Sequence, residues 1–278
     1  MVQGIVNLLE AIVQGLDSMA LSPAQRQMFF ERGTLRLTCA FPDADAARMD
    51  ERIWGLLGDK YGVRREDSGT WTEKQPTGFQ SLTRAGAFNS IVGPTLVDAL
   101  NSLLGYAMWR STASWGAPLV TFPERGRAWD VPKNQWHLDF PARRGANELP
   151  GVRVLGFIAP VEAGGGGTVV VTGSHRLVEH LVRKGLAHDG HSPVIRDSLA
   201  SAHPWFRRLW SETALDEDRV RCFMTDGENI DGVNVRVEEL TGATGDVILM
   251  HPWAFHAPAP NCSLRPRMIV SHSVFRKA

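Results

Sequence analysis

Residues 134–140 read NQWHLDF and place His137 and Asp139 two positions apart in what reads as extended chain. Side chains at i and i+2 of a strand share one face. If that face points into a barrel, a carboxylate is buried, and an isolated buried charge is very costly. A divalent metal relieves that cost and also accepts the imidazole. The alternative is an exposed edge strand with a solvated histidine and aspartate, because a histidine–x–aspartate tripeptide is common. A second run, HPWAFHAPAPNCSLRPRMIV, offers His251, His256, Arg265 and Arg267. One of its histidines would complete a facial set of two histidines and a carboxylate, which suits iron(II) and leaves positions open for further ligands. Arg267 begins an otherwise apolar strand. An arginine entering a barrel interior needs an anion, and its fork matches a carboxylate. A bound dicarboxylic acid would satisfy it.

These residues, in this order, resemble the signature of the phytanoyl-CoA dioxygenase-like family of iron(II)/2-oxoglutarate oxygenases. That signature is the WHLD pair, a distal histidine more than a hundred residues later, and an arginine eleven residues beyond it, here His256 and Arg267. QRQMFFERGTLRL and the GGGGTVVVTGSHR corner are also similar to the family, so the resemblance spans about residues 20–275. It implies a double-stranded β-helix, or jelly roll of the cupin-like kind. It implies that His137, Asp139 and His256 hold Fe(II) and that Arg267 holds the far carboxylate of 2-oxoglutarate. The reaction expected is O2-dependent hydroxylation of a small molecule or natural product. Desaturation and ring closure are related outcomes. Asp139 argues against halogenation, because related halogenases have a small residue there. His251 lacks the arginine spacing and is expected to be structural, and Arg265 is a second choice as carboxylate binder. Some family members carry a serine two residues after the distal histidine, where this chain has Pro258. Gln135, by strand parity, and Thr168, at the start of a strand, are candidate helpers for the co-substrate. Two other classes stay open: a metal-dependent hydrolase or isomerase on a cupin-like barrel, and a non-catalytic small-molecule binding barrel.

Other features weigh less. Gly164–Gly167 lead into TVVV and lack a following GK[ST], so they read as a turn and not a phosphate loop. HDGH, residues 188–191, reads as a solvated loop in preference to a second metal site. Trp205, with Phe206, Leu209 and Trp210, is either core or a pocket wall. Arg143 and Arg144 follow the HxD segment and read either as solvated loop or as contacts to an anionic substrate.

The elements that must position these groups change in texture along the chain. LSPAQRQMFFERG carries a capping box at Ser22 and Gln25, Pro23 in the first turn and Gly33 as a stop. A strand, TLRLTCAF, follows. A second helix lies over DADAARMDERIWGLLGDKYG, with Ala47, Ile53, Trp54 and Leu57 expected inward. A third lies over VGPTLVDALNSLLG. From about residue 106 come short runs rich in Val, Ile, Trp and Phe, separated by turns, from YAMWRSTASW to PRMIVSHSVF. That pattern indicates a β-sandwich or barrel. The segment at about 175–231 is a helical insertion, long enough to be a lid. The expectation is one domain over 1–278: a mainly β chain with flanking helices, mostly helical over 1–105.

The 278 residues are 43% hydrophobic, enough for a full core, and Lys plus Arg equals Asp plus Glu at 30 each. That neutral balance argues against a nucleic-acid binder. It also shows no strong basic cluster for a coenzyme A thioester. Three widely spaced cysteines give no disulfide framework and suggest a reducing, cytoplasmic compartment. No apolar run is long enough to span a membrane. The first twenty residues read as an amphipathic helix that packs on its own domain or on a second copy in a homo-oligomer.

Overall fold

The computed structural model describes residues 21–142, 148–185, 190–213 and 218–277. Helix α1 (Pro23–Arg32) forms as its ends dictate: Ser22 Oγ accepts the Gln25 N–H, and the Gln25 side chain accepts the Ser22 N–H. Gly33, at φ 81°, turns the chain out of the helix and into strand β1 (Thr34–Leu37). Helix α2 (Asp43–Tyr61) buries Ala46, Met49, Ile53 and Leu57. The expected inward set was partly wrong. Ala47 is exposed and Trp54 only half-buried, because the buried stripe runs one residue earlier, through Ala46 and Met49. A short helix α3 (Gln80–Arg84) and helix α4 (Pro94–Leu104) complete this region.

The strands that follow are β2 (Ala117–Thr121), β3 (Gly151–Phe157), β4 (Thr168–Thr172), β5 (Glu228–Ile230), β6 (Val233–Glu239), β7 (Val247–Met250), β8 (His256–Pro258) and β9 (Arg267–Phe275). Every pairing is antiparallel. One sheet has the order β1-β7-β3-β9-β2 and the other β5-β6-β4-β8. Residues 21–105 are therefore not all helical support, since β1 forms an edge of the larger sheet. Helices α5 (Ser174–Arg183), α6 (Ser192–Ala202) and α7 (Pro204–Leu209), with a π-helical turn at Arg221–Asp226, lie between β4 and β5. Two expected strands are absent. YAMWRSTASW contributes a single bridge, Trp109 to Arg276, and NQWHLDF a single bridge, His137 to His256.

Alternation along the strands sorts the side chains into three apolar layers. Val152 and Val154 of β3, Val247 and Leu249 of β7, and Met268 and Val270 of β9 join α2 and α4 in one cluster. The intervening residues, Leu155, Phe157, Ile248, Met250 and Ile269, meet Val170 of β4 between the sheets. On the far side of the smaller sheet, Val169, Val171, Val235 and Val237 pack under α5, α6 and α7. Burying each large aliphatic or aromatic side chain contributes about 1.5–3 kcal/mol, so both sheet faces are held firmly. Among the described residues no helix is long and apolar enough to cross a membrane. Cys39, Cys222 and Cys262 are all free thiols.

Candidate metal centre

His137, Asp139 and His256 converge although no regular strand carries the first two. Their candidate donor atoms lie within 4.8 Å of one another. The bridge between His137 and His256 exchanges two backbone hydrogen bonds, of 3.0 and 3.1 Å, and brings the imidazole centroids to 4.2 Å with the rings tilted by 52°. His137 Nδ1 lies 2.8 Å from the Gln135 carbonyl, and His256 Nδ1 lies 3.0 Å from that of Ala254. A carbonyl accepts only, so each Nδ1 carries the proton and each Nε2 is left as a lone-pair donor. Asp139 Oδ2 sits 3.6 Å from His256 Nε2 and has no hydrogen-bond partner, although it is buried. Burial pulls the His256 imidazole down to about 4, outweighing the attraction of Asp139, so the ring is neutral at pH 7 as a metal ligand must be. An orphaned buried carboxylate oxygen between two oriented imidazoles fits a divalent cation.

Two serines hold this arrangement. Ser192, at the start of α6, accepts the Leu138 N–H at 2.8 Å and donates to the Leu138 carbonyl at 3.2 Å. The insertion therefore clamps the residue between the two ligands. Ser174, in the GSH corner, donates to the Val171 carbonyl at 2.7 Å and accepts the Phe255 N–H at 2.9 Å, one residue before His256. His175 of the same corner reaches the Phe30 carbonyl at 2.9 Å, and the Gly173 N–H reaches that of Arg32. A Cβ on Gly33 would meet His175 Nδ1 at 2.6 Å, so α1 must turn on a glycine to lie this close.

His137 and His256 open into a cavity of about 480 Å³ lined by inward residues of both sheets and by residues 75–80. Arg267 projects into it from β9. Among the described residues its Nε has no hydrogen-bond partner and no carboxylate pairs with it, and burial pulls it down to about 10, against a smaller opposing pull from Glu239. Glu239 is already engaged: its two oxygens accept the N–H groups of Gly164 and Gly167 at 2.7 and 2.9 Å. The four-glycine turn thus holds the chain's own carboxylate. Thr121 lies directly across the ladder from Arg267, lines the same cavity, and has a buried hydroxyl without a partner. Two orphaned donors side by side describe a place for a carboxylate.

The other candidates divide. Thr168 lines the cavity from β4. Gln135 also lines it, but strand parity is not the reason: its φ is 62°, and that left-handed turn aims its carbonyl at His137. Trp205 is not a cavity wall. It is 4% exposed and packs edge-on against Phe206 and Phe223 in the outer cluster. Arg265 is exposed, because hydrogen bonds among Asn261, Ser263 and Arg265 curl that turn outward. His251 does not line the cavity; it is buried against His175 and accepts the Trp253 N–H at 3.1 Å. Arg143 and Arg144 lie outside the described residues, as do His188 and Asp189 of HDGH and residues 1–20, where a helix and a contact to a second copy were expected. The carbonyl of Gly190 accepts the Ala142 N–H, so that end of the HDGH loop braces the ligand segment. Arg153 was not anticipated. It points inward from β3, lines the cavity, and places Nε 3.5 Å from Asp139 Oδ2. An arginine inside the apolar run VRVLGF is the same signal that marks Arg267.

No curated protein matches this chain. Solved structures do. The non-heme alpha ketoglutarate dependent carbocyclase SnoK from nogalamycin biosynthesis superposes with a TM-score of 0.52 at 16% identity, over 93% of this chain and 85% of that one. The epimerase SnoN, in complex with Fe3+, alpha ketoglutarate and nogalamycin RO, gives 0.51 at 14% identity, over 91% and 82%. HygX from Streptomyces hygroscopicus, with nickel and 2-oxoglutarate bound, gives 0.50 at 11% identity, over 92% and 88%. At such identities the likeness establishes the fold. The family profile described as "Phytanoyl-CoA dioxygenase (PhyH)" matches residues 29–269, and the chain belongs to that family.

Proposed function

We propose that this chain is an iron(II)- and 2-oxoglutarate-dependent oxygenase that hydroxylates an unactivated C–H bond of a small molecule. One observation carries the reading: two members of a histidine–aspartate–histidine donor set, His137 and His256, line the same cavity as a buried arginine, Arg267, whose Nε has no partner. A pure binding barrel has no need of that combination, and a cupin-like hydrolase or isomerase needs the metal but not the arginine. Iron(II) bound there with O2 would supply the oxidising power, and 2-oxoglutarate would leave as succinate and carbon dioxide. The protein's own residues bind and orient. His137, Asp139 and His256 hold the metal on one face. Arg267 and Thr121 take the far carboxylate, and Thr121 fills the role left by Pro258. Asp139 occupies the third protein position, which disfavours halide binding. The cavity volume suits a small organic substrate. Free thiols fit a reducing compartment, and we place the protein in the cytoplasm.

The test is succinate formation from 2-oxoglutarate by purified protein with iron(II), O2 and ascorbate. Metal- and O2-dependent succinate, lost in His137→Ala, is expected. No succinate, together with no binding of 2-oxoglutarate to metal-loaded protein, would overturn the proposal.

A further inference from the structure

Arg153 is held by less than a partly buried guanidinium ordinarily demands. Its Nη1 donates to Ser273 Oγ at 2.7 Å, and its Nε reaches Asp139 Oδ2 only at 3.5 Å, too far for a good hydrogen bond. Nη2 has no partner among the described residues. The side chain is 25% exposed, and that exposure faces the cavity. Among the described residues that line the cavity, Arg153 and Arg267 are the only two with a permanent charge.

Charge matching then points to a ligand. A divalent metal and Asp139 together leave one positive charge, and Arg267 adds a second. The two carboxylates of 2-oxoglutarate neutralise both. Asp139 is drawn to the metal, so the charge on Arg153 is unmatched within a half-closed cavity. Glu239, beyond the lining, gives its oxygens to the four-glycine turn. An uncompensated charge out of water is costly, and a guanidinium is shaped for a two-oxygen anion. Around it the walls are largely apolar: Pro76, Phe79, Leu119, Leu155 and Met250.

We infer that the substrate is a small organic anion, an apolar body bearing a carboxylate or phosphate, and that Arg153 binds this anionic group beside the metal. This rests on the oxygenase reading above. Protein loaded anaerobically with iron(II) and saturating 2-oxoglutarate is titrated at fixed ionic strength with benzoate, phenyl phosphate and benzyl alcohol. Binding is read from the visible absorption of the iron–oxoglutarate chelate. One of the two anions is expected to perturb the spectrum at about tenfold lower concentration than the alcohol, and which one does so separates carboxylate from phosphate. Arg153→Gln loses that preference and Arg153→Lys retains part of it. Equal sensitivity to anion and alcohol, no response to any probe, or a preference that survives Arg153→Gln overturns the inference. If Arg153→Gln weakens iron binding and leaves the preference unchanged, Arg153 only positions Asp139, and the inference is again overturned. If wild-type protein forms no chelate, the oxygenase reading fails first.

Discussion

Two pairs of histidines pack ring against ring in this molecule, tilted by 52° and 32° and at nearly the same separation. His137 and His256 have centroids 4.2 Å apart, and His175 and His251 4.5 Å apart. Their surroundings set them apart. In the first pair both Nδ1 atoms are committed to carbonyls two residues back, both Nε2 atoms converge, and a carboxylate stands beside them. In the second, His175 spends Nε2 on the Phe30 carbonyl, His251 Nδ1 accepts a backbone N–H, and the described residues place no acid against either ring. The first pair has the arrangement that metal ligands need, and the second is a polar rivet that ties the end of α1 to the GSH corner after β4 and to the end of β7. Ring proximity alone does not separate the two. The hydrogen bond on the other nitrogen does.

That contrast breaks most sharply under alanine substitution. His256→Ala should abolish stoichiometric iron(II) binding by anaerobic calorimetry, and His251→Ala should keep it while losing about 2 kcal/mol of stability in urea unfolding. Loss of metal in the His251 variant with retention in the His256 variant would invert the assignment. Arg267→Met comes next. It should weaken 2-oxoglutarate binding by about a hundredfold or more, and it should raise the melting temperature of the metal-free protein, because an unpaired buried cation is removed.

The rivet pair should make the protein acid-labile. Burial pulls His175 down to about 4 and His251 well below the ordinary value of 6.5. The unfolded chain therefore binds these protons first as pH falls. Stability is full above about 6.5 and declines progressively towards 4, by up to a few kcal/mol. Unfolding at pH 8, 6 and 5 checks this, and His175→Asn should flatten the slope. The smallest effects lie at the co-substrate site's edge. Thr121→Val should cost about 1 kcal/mol of 2-oxoglutarate affinity, whereas Arg265→Ala on the outer turn should cost none.

Much of the metal site is legible in the sequence because ligand chemistry is written in residue type. His137, His256 and Arg267 line one cavity, Asp139 lies beside the two histidines, and the GSH corner and the capping box at Ser22 are where their residues imply. Backbone path is less legible. NQWHLDF looks like a strand, yet Gln135 adopts a left-handed turn and the ligands meet through a single bridge. Thr121 acquires meaning only from its register opposite Arg267, a pairing 146 positions away in the chain that no local pattern encodes. Trp205 shows the reverse error. An aromatic cluster in an insertion suits a pocket wall and a packed layer equally, and the apolar outer face of the smaller sheet decides for the layer.

The central claim is that one iron ion and one 2-oxoglutarate bind together in this cavity. Calorimetric titration of 2-oxoglutarate into the protein under anaerobic conditions, with and without iron(II), tests it most directly. The account predicts one equivalent bound with iron(II) and much weaker binding without it. Absence of binding in the iron-loaded protein, or binding that ignores the metal, would contradict it.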